Sequence, residues 1–136
     1  MENRITLMLT IFIMTILSSC KKDKTQNDRI LGNWKLVENY DGYANGGTFT
    51  WHAVANDDSH ILTFSPNGQY KKIQNFNGSQ ECMGTYTLLN SVNLEINSNC
   101  NTVTQKVTIS ELTQTTLIID EQVREGKIRD KYLKIN

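Results

Sequence analysis

Apolar and polar residues alternate in short runs along most of the chain, and after residue 28 no stretch keeps the three- and four-residue apolar spacing of a long helix. These runs predict nine strands, over 31–40, 48–54, 60–65, 69–76, 82–89, 92–97, 103–110, 115–121 and 127–135. The links between them carry hairpin chemistry. Ser65-Pro66-Asn67-Gly68 places Pro early and Gly last, and Asn77-Gly78-Ser79 and Glu125-Gly126-Lys127 are tight turns. Eight or nine consecutive hairpin-linked strands without a crossover helix predict an all-β fold, an antiparallel up-and-down meander closed into a barrel. The alternative is a two-sheet sandwich, which needs longer connections than most of these.

Matching apolar faces sets the expected registers, since facing residues of an antiparallel pair share a side. Leu88 opposite Leu94 puts Tyr86 opposite Ile96, Gly84 opposite Ser98 and Cys82 opposite Cys100. Two cysteines that meet without having been used to set the register predict a disulfide, worth roughly 3 kcal/mol on the chain-entropy model. A pair of free thiols, one of them catalytic, is the alternative. Further along, Ile109 is expected opposite Leu117, and Ile119 opposite Leu133 with Leu117 opposite Ile135.

The N-terminus breaks the strand pattern. Residues 5–17 form an apolar run of 13 residues, about 20 Å as a helix and short of the ~30 Å hydrocarbon core. It reads as the core of a signal peptide over 1–19. Leu17-Ser18-Ser19-Cys20 follows, and then the charged Lys21-Lys22-Asp23-Lys24. This resembles the lipobox of bacterial lipoproteins, in which the cysteine thiol takes a diacylglycerol and the freed amine a further acyl chain such as palmitate. The resemblance implies that Cys20 is the lipidated residue and that the membrane is a partner through that lipid. The absence of an acidic sorting signal after Cys20 implies the outer membrane, on either its periplasmic or its surface face. Residues 20–28 read as lipidated cysteine and tether, and 29–136 as the barrel domain. An exported chain also favours oxidised Cys82 and Cys100.

Composition adds exclusions. Fourteen basic residues balance fourteen acidic ones, so the basic footprint of nucleic-acid binding is absent. No Gly-x-Ser-x-Gly elbow, phosphate-binding Gly loop or metal-ligand spacing occurs, and no catalytic residue, cofactor or metal is expected. His52 and His60 read as surface or rim residues, and Lys71, Lys72, Arg124, Lys127, Arg129, Lys131 and Lys134 as solvated strand faces.

The first strand opens Ile30-Leu31-Gly32-Asn33-Trp34-Lys35, with Gly-x-Trp at its start. With the phrases Phe64-Ser65-Pro66-Asn67-Gly68-Gln69-Tyr70, Cys82-Met83-Gly84-Thr85-Tyr86-Thr87-Leu88 and Ile109-Ser110-Glu111-Leu112-Thr113, the chain resembles the small lipocalin-like lipoproteins of Gram-negative bacteria. The resemblance implies that Gly32 and Trp34 form the closed barrel base. A basic residue of the last strand should lie over the Trp34 ring. Arg129 is expected in that role ahead of Arg124, because it shares a register with Leu133 and Ile135. Tyr40, Asp41, Tyr43 and Asn45, in a Gly-rich stretch after the first strand, form a candidate mouth loop. Two functions follow as expectations. One is a membrane-anchored, non-catalytic binding module for a small apolar or amphipathic molecule. The other is an envelope interaction or assembly protein whose barrel is filled and whose loops meet a protein partner.

Overall fold

The computed structural model describes residues 25–43, 50–75, 78–124 and 126–136, with 41–43 by backbone alone. Thr25 begins a capping box. Its side chain accepts from the Asp28 amide, and the Asp28 carboxylate accepts from the Thr25 amide at 3.2 Å. The pair starts a one-turn helix, α1 (Gln26–Ile30), across the boundary where the sequence reading joins tether to barrel. Ile30 ends α1 fully buried, and its carbonyl accepts a 2.7 Å hydrogen bond from the Trp34 indole N–H. The helix is thereby fastened over one end of the barrel.

Among the described residues nine strands follow: β1 (Gly32–Tyr43), β2 (His52–Ala53), β3 (His60–Phe64), β4 (Gln69–Gln74), β5 (Gln80–Leu88), β6 (Asn93–Ser98), β7 (Gln105–Leu112), β8 (Thr116–Val123) and β9 (Gly126–Ile135). All neighbours are antiparallel. β1 pairs with β3 through Gly32–Lys35 and with β9 along its length, which closes an eight-strand barrel. β2 is a ninth, two-residue strand laid against Glu38 and Asn39 of β1. The sandwich alternative is set aside by this closure.

The β5–β6 register matches the face argument, with Leu88 opposite Leu94, Tyr86 opposite Ile96 and Gly84 opposite Ser98. Gly84 allows the close approach, since a Cβ there would sit 1.9 Å from the Asn97 carbonyl oxygen. Cys82 and Cys100 are joined just beyond this ladder, with Cα atoms 5.5 Å apart. Two other registers differ from expectation. A bulge between Ile109 and Glu111 of β7 pairs Ile109 with Ile119 and Leu112 with Leu117, a slip that keeps the faces. In β9, Thr116 pairs with Leu133 and Ile119 with Asp130. That is an odd shift from the expected pairing, so every β9 side chain changes face. Tyr132 points inward and is buried, whereas Leu133 is exposed.

The core is concentrated at the α1 end. Trp34, Phe64, Ile30, Leu94 and Leu117 are fully buried there, with Leu36, Leu62, Val107 and Ile109 packed beside them. Each large apolar side chain withdrawn from water contributes roughly 1.5–3 kcal/mol. Phe64 meets Tyr86 edge-on at 5.0 Å between centroids and Tyr70 at 5.7 Å. This end is therefore closed by packing, which leaves the polar interior residues to the other half of the barrel.

Candidate functional site

Strand alternation sends Tyr70 and Lys72 of β4, Gln105 of β7, Glu121 of β8, and Ile128, Asp130 and Tyr132 of β9 to the barrel interior. Together with Leu62, Ile96, Val107 and Ile119 they line a cavity of about 70 Å³. β4 is the third and β8 the seventh strand round the closed barrel, so these walls face each other. One wall carries the Tyr70 hydroxyl and the Lys72 ammonium. The other carries the carboxylates of Glu121 and Asp130.

A relay runs along one side of the barrel, where β3 and β9 flank β1. His60 Nε2 lies 2.9 Å from the Tyr132 hydroxyl, which donates to Asp130 Oδ2 at 3.2 Å. A hydroxyl has one proton to give. With it on Asp130, Tyr132 accepts from His60, which fixes the imidazole as the Nε2–H tautomer. Burial, and then the Lys72 charge, hold the His60 pKa down at about 3, so the ring is neutral at ordinary pH. Burial, reinforced by the Asp130 charge, keeps the Tyr132 hydroxyl protonated. Glu121 accepts from the Gln105 amide at 3.0 Å.

The opposite wall is less satisfied. Burial pushes the Tyr70 hydroxyl up, and no hydrogen bond to it occurs among the described residues. Burial lowers the Lys72 pKa, against the raising pull of Asp130 and then Glu121. Among the described residues no direct ion pair joins Lys72 to either carboxylate. Among the described residues, these two donors thus face the cavity without a protein acceptor.

The residues singled out from the sequence lie mostly elsewhere. Gly32 and Trp34 sit at the closed base, but the cation over Trp34 is Lys134, its Nζ 4.7 Å from the ring centroid. Lys134 also donates to the Arg29 carbonyl at 3.1 Å. Gly32, at φ +119°, makes room for this side chain, since a Cβ would stand 2.9 Å from Lys134 Cε. Arg129 is on the outer face because β9 has the opposite parity. Its Nε and Nη2 donate to Asp120 at 2.5 and 2.7 Å, and its guanidinium lies over the Tyr40 ring at 5.3 Å. Asp120 is buried, which alone would raise its pKa. Hydrogen bonds from Arg129, Lys127 and Ser110 overcome this and hold it below the usual carboxylate value.

The mouth-loop residues are corrected as well. β1 runs on to Tyr43, so Tyr40, Asp41 and Tyr43 are ladder positions facing Arg129, Ile128 and Gly126. Tyr40 packs edge-on against Trp51 on the outer surface. Asn45 and Cys20 lie outside the described residues. His60 and Lys72, expected at the surface or on a solvated face, are interior, whereas Lys71 does point out, to Glu81 at 2.7 Å. Among the described residues no cluster of three metal-ligating side chains forms. Shared parity in Gln69-Tyr70-Lys71-Lys72 could have grouped Lys72 with Tyr70. The apolar Ile73 on the other parity obscured it.

Comparison with known proteins bears on the fold. The model of the lipocalin-like domain family matches residues 30–119. A crystal structure of a lipocalin-like protein from Bacteroides uniformis ATCC 8492 superposes with a TM-score of 0.59 at 15% identity, covering 79% of this chain and 99% of that one. Among curated proteins, no relative matches at a significant level.

Proposed function

The chain belongs to the lipocalin-like domain family, and we propose that it is a lipid-anchored, non-catalytic binding module of the bacterial envelope whose barrel takes a small zwitterion. The family gives the general expectation of a small-molecule binding module without catalysis. The cavity gives the chemistry. One juxtaposition carries the proposal: the donors of Tyr70 and Lys72 stand across about 70 Å³ from the Asp130 and Glu121 carboxylates. A ligand carboxylate placed against Tyr70 and Lys72, with its ammonium toward Asp130 and Glu121, satisfies both walls at once.

The apolar or amphipathic occupant expected from the sequence suits this interior poorly. An alkyl chain would leave the Tyr70 hydroxyl and the Lys72 ammonium without an acceptor among the described residues, so their burial would go uncompensated. A cavity so far below the ~300 Å³ of common ligand pockets admits only a few non-hydrogen atoms. The anchor is Cys20, set after Leu17-Ser18-Ser19 where a diacylglycerol is attached in lipoproteins. No acidic residue directly follows it, which supports an outer-membrane location.

Isothermal titration of the mature protein with glycine and β-alanine, against acetate and methylammonium, tests the ligand class. The zwitterions should bind at least tenfold more tightly than either single-charge analogue, a gap of about 1.4 kcal/mol. Lys72→Met should remove that preference. Equal binding of acetate, or a long-chain lipid retained in native mass spectrometry, would overturn the proposal.

A further inference from the structure

Resting on the anchor reading above, we infer that the closed end of the barrel, at the β5–β6 turn, docks on the lipid surface that holds Cys20 and directs the cavity mouth away from it. The described chain begins at Thr25, five residues after Cys20. Five residues span at most about 18 Å when fully extended. β5, with nine residues, is about 30 Å long at roughly 3.4 Å per residue. The link is therefore too short to run the length of the barrel, and the α1 end is the one tied to the bilayer.

What this end presents fits a membrane. The Gln26 side-chain amide donates to the Ser91 carbonyl, which seats the β5–β6 turn beside α1. Thr25, Gln26 and Asn27 share a surface depression with Leu88–Ser91. Leu89 and Val92, at the two corners of this turn, are exposed apolar side chains. Lys21, Lys22 and Lys24 outweigh Asp23 just before α1, and juxtamembrane cations of this kind are drawn to anionic headgroups. Two apolar corners beside a cationic approach suit a shallow contact with headgroups and upper acyl chains. The disulfide, Lys72 and the cavity lie toward the far end, so a ligand enters from the aqueous side and not from the lipid.

The acylated full chain in phosphatidylethanolamine–phosphatidylglycerol vesicles with brominated acyl chains tests this placement. A Trp51→Phe background leaves only buried Trp34, and Leu89→Trp, Val92→Trp and Val103→Trp then serve as probes. Val103 lies on the exposed β6–β7 link at the far end. Quenching at 89 and 92 at least twofold above that at 103 supports docking of the closed end. Equal quenching at the three positions, greater quenching at 103, or none at any of them in acylated protein overturns the docking face alone. Mass spectrometry showing Cys20 without acyl chains overturns the anchor, and this inference falls with it.

Discussion

Burial holds the His60 imidazole neutral, and this has a direct consequence for stability against pH. The unfolded chain binds a proton at His60 near pH 6.5, whereas the folded chain does so only near 3. Between those values the unfolded state carries the extra proton, so this residue makes stability fall as pH drops, by at most about 1.4 kcal/mol per unit. Above about 6.5 it contributes no slope. His60→Gln keeps a donor for the Tyr132 hydroxyl but cannot titrate. Urea unfolding from pH 7 to 4 should show wild type losing ground to the variant across that interval, and parallel curves would refute the assignment. Trp34 was legible from its Gly-x-Trp setting because the motif carries a steric demand, visible in Gly32. Its cationic partner was not. Lys134 and Arg129 have opposite parity on β9, and Leu133 and Ile135 pointed to the wrong face for inward residues.

Registers were legible where inward apolar positions alternate cleanly, and lost at bulges and in the regular β8–β9 ladder, where the outward Leu133 and Ile135 imitate a core face. β5 and β6 alternate cleanly across the Asn90-Ser91 turn, and Leu88, Leu94, Tyr86 and Ile96 fix their pairing down to the cysteines. Bulges at Leu36/Glu38 in β1 and Ile109/Glu111 in β7 leave no mark in the apolar pattern. α1 was missed because one turn has no periodicity, although Thr25-Gln26-Asn27-Asp28 does hold the capping pair. The disulfide is the element on which the cavity wall depends, since Cys82 pairs with Lys72 in the β4–β5 ladder. Cys82→Ala/Cys100→Ala frees a crosslink over 18 residues, a loss of about 3 kcal/mol. Chemical denaturation should show that loss, and zwitterion affinity should fall in the same variant. Stability within about 0.5 kcal/mol of wild type would show that the hairpin does not need its crosslink, since a change that small is what ordinary surface substitutions produce.

At the scale of the whole molecule, the barrel follows from turn chemistry and alternation, but its content does not. Strands that succeed one another without a crossover make the meander, and the pairing of β1 with β9 closes it. The content depended on which of Lys71 and Lys72 points inward and on the parity of the final strand. These decide whether the interior is an apolar plug or, as found, a packed base below a charged cavity. Charged groups in such a place reduce stability, because desolvating them costs several kcal/mol that the interior repays only with close pairing. Lys72 lacks that pairing among the described residues, while Glu121 is held by the Gln105 amide. Lys72→Met/Glu121→Gln removes one charge of each sign, keeps the net charge, and leaves an amide at 121 beside Gln105. If these residues serve a ligand, the double variant should be more stable than wild type by about 1 kcal/mol, because Lys72 is held partly from water with no close counter-charge among the described residues. It should also lose zwitterion binding. A ligand-binding site and a structural ion pair part here in sign. If Lys72 and Glu121 instead hold the barrel together, the same variant melts lower than wild type, and thermal unfolding of the two proteins without ligand decides between them.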